Sequence, residues 1–403
     1  MPANDAEAPA WRIVPQPWME EPPVRAVLAA LGGAGRFVGG CVRDALLGRV
    51  IGDIDLATPL PPGEVMRRLA AAAIKAVPTG LAHGTVTAVV PPRRLEITTL
   101  RRDVETFGRH ARVAFTVDWA EDAMRRDFTM NALFLDAEGN VFDPVHGLSD
   151  LQAGRVRFVG DAATRIREDL LRILRFYRFQ ARYGRGEADR AARDACRALA
   201  SLLPNLSGER VAGEFLKLLV AADPVPTLRL MQQDGVLGVL LSQARRLERL
   251  EGLIRLEEAP DAIRRLAALL AGDAASAAER LKLSAADRDR LLALEAAPPL
   301  DLATDDRTQR RLAWRFGAEL YCDAVLLIAA EGGDAARVRH LLALAEACRT
   351  LRFPLQGRDV TALGLPAGPE IGRLLKEVEE WWIAGDFQAD RRAALVELKR
   401  RAG

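Results

Sequence analysis

The run RFVGGCVRDALLGRVIGDIDLAT, residues 36–58, constrains this chain more than any other stretch. Two short apolar strands flank a glycine pair, Gly39 and Gly40, that opens into a helix carrying Arg43 and Asp44, and Asp53 and Asp55 follow on the second strand. Side chains at i and i+2 of a strand leave on one face, so two carboxylates separated only by Ile54 present hard oxygen donors to one point. Such a pair suits Mg²⁺, which takes one or two carboxylates and leaves its other positions to water and phosphate. Glycine lets the backbone approach a triphosphate closely, the following helix offers free N–H groups, and Arg43 adds a forked cation. The expected site is a nucleoside triphosphate held against two Mg²⁺ ions, the arrangement that serves in-line nucleotidyl transfer.

At 403 residues the chain is long enough for two or more domains. No run approaches the ~18 consecutive apolar residues of a membrane span, and the first twenty residues lack the charged start and apolar centre of a signal peptide, so a soluble, cytoplasmic protein is expected. Cys41, Cys196, Cys322 and Cys348 are too scattered for a disulfide framework or a zinc site, and the chain has only four histidines, none followed by Asp as an HD phosphohydrolase pair requires. Magnesium fits better than zinc. Net charge is only +2, yet residues 161–200 hold ten Arg against six Asp plus Glu. An arginine-rich helix is ordinarily a solvated face laced with ion pairs, and composition alone favours that; beside a nucleotide site it also offers contacts to a phosphodiester backbone.

From about residue 24 to 145, β-rich runs (RFV, DIDLAT, TVTAVV, RLEITTL and the hairpin NALFLDAEGNVFD) alternate with helices near 24–31, 42–48, 62–73 and 119–131. After about 150 the pattern turns to Ala, Leu and Arg at helical spacing, broken by Pro and Gly, with no fixed repeat. The expected class is α+β, a small mixed-sheet head followed by an all-α remainder, whose Trp381 and Trp382 belong to a core. Glu96 on RLEITTL is the candidate third acid, with an ion pair to Arg94 or Arg101 as its ordinary alternative.

The ordered set Gly39–Gly40, Arg43–Asp44, Asp53–Asp55 resembles the class II CCA-adding enzymes and bacterial poly(A) polymerases of the polymerase β-like nucleotidyltransferase superfamily. Further motifs carry the likeness: RRDFTMNA (125–132) resembles the ribose-selecting motif, DPVHGLSDL (143–151) the flexible connector, EDLLRILRFYR (168–178) the base-recognition helix, and GERVAGEFLKL (208–218) the helix that braces it. GPEIGRLLKEVEEWW (368–382) is similar to a segment of bacterial tails, and 101–122 to the mobile loop used in switching from C to A addition. The HGTVT run that starts at His83 reads first as scaffold. The resemblance implies an N-terminal extension at 1–23, a polymerase β-like head at 24–147, a neck with the base-recognition helix at 148–222, a helical body at 223–300 and a tRNA-binding tail at 301–403.

The likeness places Arg125, Arg126, Asp127 and Asn131 at the nucleotide, with Asp127 able to accept from a ribose 2′-OH; the ordinary reading of the same stretch is a helix-start acid paired with arginine. For base selection, cytosine and adenine both set an amino donor beside a ring acceptor, so Asp169 as acceptor and Arg172 as donor, three residues apart on one helix, fit both and refuse uracil and guanine. Glu168 can hold Arg172. Arg175 and Arg178 follow at three-residue steps, each turning about 60°, which puts Arg178 opposite Asp169 for phosphate or primer contact. The implied activity is a template-independent CTP(ATP):tRNA nucleotidyltransferase that builds or repairs the 3′-terminal CCA with Mg²⁺, its partners the acceptor arm and 3′ end of tRNA together with CTP and ATP, acting as a monomer without a membrane. The alternatives are a bacterial poly(A) polymerase, a CC-only or A-only enzyme and, from other classes, a catalytically dead RNA-binding module or a small-molecule nucleotidyltransferase.

Overall fold

Period-two apolar patterning in the first 142 residues builds one mixed sheet. A computed structural model describes residues 8–107, 110–366 and 368–402, with side chains outside 103–113. The strands are β1 (Trp11–Arg12), β2 (Arg36–Val38), β3 (Ile54–Thr58), β4 (Lys75–Gly80), β5 (Thr85–Val90), β6 (Arg93–Thr99), β7 (Arg101–Phe107), β8 (His110–Phe115), β9 (Phe134–Leu135) and β10 (Asn140–Phe142). Eight of them run in the order β1-β10-β9-β2-β3-β6-β5-β4, while β7 and β8 form a separate hairpin. Among the described residues only β3 and β6 are parallel neighbours, with Asp55 opposite Glu96, and the other pairs are antiparallel. Central placement between β2 and β6 explains why Ile54, Leu56, Ala57 and Thr58 are all buried.

Helices α1 (Pro22–Leu31) and α3 (Pro62–Ala71) cover one part of the sheet with Val27, Leu31, Val65 and Leu69. Each such aliphatic side chain contributes roughly 1.5–3 kcal/mol by leaving water. Between them α2 (Gly40–Leu46) starts at the glycine turn. A second cluster, Val38, Ala57, Leu100, Ala123, Phe134 and Val159, packs the sheet against α4 (Trp119–Met124) and the chain beyond it.

Four features differ from the sequence expectation. Residues placed in an N-terminal extension join the sheet: β1 pairs with β10, and Trp18 packs edge-on against Phe37 at 4.7 Å; residues 1–7 lie outside the described ones. The strand β4, KAVPTG, contains Pro78 and has no buried residue, so its edge position carried no strand alternation. The stretch 101–122 contains the β7–β8 hairpin, with residues 108 and 109 outside the described ones. The helix expected over 119–131 stops at Met124, because the backbone beyond it bonds sideways: Thr129 N–H donates to Arg157 O at 3.0 Å and Val159 N–H to Asp127 O at 3.0 Å.

The remainder is helical: α5 (Gly147–Ala153), α6 (Ala162–Glu168), α7 (Leu171–Tyr183), α8 (Arg190–Leu199), α9 (Gly208–Leu219) and α10 (Val225–Gln233) belong with the sheet to one unit, Met1–Ser242. The second unit, Gln243–Gly403, runs from the helix Leu247–Leu256 to the helix Arg391–Ala402. Inside it, buried Asp323 takes Arg264 at 3.1 Å and Arg290 at 2.6 Å, and Trp382 is buried among Trp314, Phe353 and Phe387, with Trp381 half-buried beside it. Among the described residues no helix is long and apolar enough to cross a membrane.

Candidate active site

Gly39 holds the turn between β2 and α2 at φ +75°, a conformation that L side chains rarely adopt, so the position requires glycine. Asp53 lies just before β3 and is exposed; Asp55, two residues on, is half-buried within it. Asp53 stands one residue outside the strand, and its charge reaches Asp55. Parallel register adds a third acid, since Glu96 of β6 is the lateral neighbour of Asp55. Glu96 is exposed and makes no ion pair among the described residues, so neither Arg94 nor Arg101 claims it. Burial, then the charges of Glu96 and Asp53, push the Asp55 carboxyl up to about 6, and Arg126 draws it back down. Beneath the turn the Cys41 thiol donates to Val38 O at 3.3 Å, tying α2 to β2.

The helix start after the turn is closed by its own polar groups. Arg43, 6% exposed, sets Nε and Nη2 on the two oxygens of Asp44, each at 3.0 Å, and Nη1 on Asn131 Oδ1 at 2.6 Å, with Tyr183 stacked under it at 4.1 Å. The fork expected on a phosphate is thus closed on Asp44 and Asn131. Asp127 is held as fully: its Oδ1 accepts Phe128 N–H at 2.8 Å and Asn131 Nδ2 at 3.0 Å, and its Oδ2 accepts Nε of Arg175 at 2.9 Å and pairs with Nη2. Burial alone would raise this carboxyl, but the Arg175 charge and these donors outweigh it and hold it below the usual range. Four donors match the lone pairs a carboxylate offers, so a ribose hydroxyl would bond there only by displacing one.

The expected continuous helix over 168–178 is interrupted. Glu168 ends α6, Asp169 is extended at φ −153°, and α7 begins at Leu171. The cause is local: Asp169 Oδ1 accepts the Leu171 N–H at 3.1 Å, a capping contact that competes with helix continuation, while Oδ2 takes Arg210 of α9 at 2.7 Å. Arg172 donates to Arg165 O at 2.8 Å and pairs with Glu168, the partner the four-residue spacing predicts. Acceptor and donor are thus held by different residues, Asp169 by Arg210 and Arg172 by Glu168. Arg175 and Arg178 share Glu214 of α9, at 3.6 and 2.5 Å, so an ion pair takes the guanidinium of Arg178 that was expected to face a primer.

Residues 35–157 match the family model described as the poly A polymerase head domain, and residues 188–247 match the model of a probable RNA and SrmB-binding site of polymerase A. The chain is 34% identical to the mitochondrial CCA tRNA nucleotidyltransferase 1 of Mus musculus, over 91% of this chain and 86% of that one. It is also 34% identical to a CCA-adding enzyme of Streptococcus sanguinis, over 96% and 98% of the two chains. The chain belongs to the CCA-adding enzyme family. A solved CCA-adding enzyme of Bacillus stearothermophilus, in complex with CTP, superposes with a TM-score of 0.76 at 28% identity, covering 94% of this chain and 98% of that one.

For a member of the CCA-adding enzyme family the donor set at the turn fits Mg²⁺. No group of three or more His, Cys, Asp or Glu is gathered tightly enough to bind a metal alone among the described residues. Asp55 feels the charges of Asp53 and Glu96, and carboxylate oxygens so crowded suit a cation whose remaining ligands are water and phosphate. Sequence reasoning passed over Asp122, Arg210 and Glu214. Asp122 had a signal, arginines at i+3 and i+4; Arg210 and Glu214 reach their partners only through the packing of α9 on α7.

Proposed function

We propose that this protein adds or repairs the 3′-terminal CCA of tRNA, taking CTP and ATP and using no nucleic-acid template. The observation that carries the reading is the crowded pair Asp53 and Asp55 at the Gly39 turn, in a chain of this family. These two residues would hold Mg²⁺, which supplies activation of the primer 3′-hydroxyl and charge neutralisation on the triphosphate. Gly39, Gly40 and the first N–H groups of α2 approach the triphosphate, with Arg43, Asp44 and Asn131 as a buried floor that keeps the turn in shape. Arg126 adds positive charge there, and Arg125 and Asp127 secure the neighbouring wall. Asp169 offers an acceptor and Arg172 donors to the base edge; Arg175 and Arg178 keep α7 in register through Glu214. In this reading the head (24–147) and neck (148–222) hold the nucleotide, the body (223–300) and tail (301–403) grip the tRNA, and the protein works as a cytoplasmic monomer.

The test is Asp53→Asn and Asp55→Asn. Incorporation of labelled CMP into tRNA lacking its terminal CCA falls by at least ~10³-fold, while the thermal midpoint does not drop. Turnover within about ten-fold of the unsubstituted protein would refute the assignment.

A further inference from the structure

Asp122 on α4 is almost fully buried, at 1% exposure, and no role assigned above uses it. Burying a carboxylate is costly unless its lone pairs are met, and here they are met by two guanidinium forks. Oδ1 accepts Nε and Nη2 of Arg125 at 2.8 and 2.7 Å and the Arg101 backbone N–H at 3.3 Å. Oδ2 accepts Nε and Nη2 of Arg126 at 3.1 and 2.7 Å. Burial works against the charge, but Arg126 and Arg125 outweigh it and keep the carboxyl below the usual range.

Both arginines continue beyond Asp122. Arg125 Nε also donates to the Arg101 carbonyl at 3.1 Å, so the N–H and the C=O of the first residue of β7 are held by one carboxylate and its partner. The other leg of the hairpin closes on the same place, with Thr116 N–H on Leu100 O at 2.9 Å and Asp118 capping α4 through Ala120 N–H at 2.7 Å. Arg126 gives Asp122 its Nε and Nη2 and turns Nη1 toward Gly39, 3.9 Å from where a β-carbon would stand.

We propose that Asp122 is a positioning residue for nucleotidyl transfer: it aims the open edge of Arg126 at the glycine turn, where the phosphates of the incoming nucleotide lie, and locks the root of the β7–β8 hairpin to the same anchor. The inference rests on the reading of the Gly39–Asp55 turn as a triphosphate and metal site. Without the carboxylate, Arg126 regains the rotamer freedom of a long side chain and repels Arg125 beside it, so the charge is no longer held where phosphate arrives. An ion pair that only supported the fold would lower the melting temperature and leave nucleotide affinity alone.

The experiment is steady-state kinetics of full-length Asp122→Asn with tRNA lacking its terminal CCA. The KM for CTP rises about ten-fold while kcat changes by less than about three-fold, and in an Arg126→Lys background the same substitution adds no more than about two-fold. An unchanged KM, or an equal rise in the Arg126→Lys background, overturns the inference. If Asp122→Asn does not fold, Arg126→Lys alone decides, since a single ammonium cannot span both Asp122 and the turn; its KM rises about ten-fold, and an unchanged value overturns the inference. Failure of the unsubstituted protein to incorporate CMP would instead overturn the reading beneath it.

Discussion

At the scale of single residues, Asp55 carries the clearest physical signature. Its folded carboxyl titrates at about 6, above the ordinary value of an unfolded aspartate. The native state therefore holds that proton more tightly, and the resulting stability is present below about pH 4 and lost as pH rises through about 6. Without Mg²⁺, the melting temperature of the unsubstituted protein relative to Asp55→Asn falls across that window, and at pH 7.5 Mg²⁺ raises the melting temperature of the former and not of the variant. A difference that stays flat from pH 4 to 7 would contradict the crowding of Asp55. The nearness of the two acids was legible in the sequence because it is local: residues two apart along an extended chain stay close whatever the rest of the chain does. Glu96 was legible as a candidate third acid on a strand, but its neighbour was not. Its place beside Asp55 follows from the β3–β6 register, which pairs residues far apart in sequence.

At the scale of elements, the break between α6 and α7 matters most for specificity. Local spacing gave the Arg172–Glu168 pair correctly but could not give the extended Asp169, whose orientation comes from the Leu171 N–H ahead and Arg210 on α9. Strand and helix periodicity likewise located β2, α2 and β3 but not β1 or β4, because a two-residue strand and an unburied one bearing Pro78 leave no alternation to read. Exchanging the two groups, Asp169→Arg with Arg172→Asp, reverses the donor and acceptor pattern offered to the base. The ratio of CTP to UTP incorporation then falls by about ten-fold or more, each hydrogen-bonded base contact being worth about 1–3 kcal/mol. An unchanged ratio, measured as kcat/KM for the four nucleotides, would refute base selection by these side chains.

At the scale of the whole molecule, the α+β reading survived because the transition near residue 150 changes the hydrophobic period itself, from strands to helices. The second unit was legible as helices and a tryptophan-bearing core, while its ion-pair network of Asp323 with Arg264 and Arg290 depends on helix packing that no local pattern encodes. The chain follows a sheet-bearing first unit with a long helical remainder, and the function proposed for it requires growth to stop after three additions. The most direct measurement is product length after incubating the full chain with Mg²⁺, labelled CTP and ATP, and tRNA transcripts that lack the terminal CCA, end after its two cytidines, or are complete. The account predicts three added nucleotides on the first, one adenosine on the second and none on the third. An open-ended adenosine ladder, or addition that halts after the cytidines with ATP present, would contradict it.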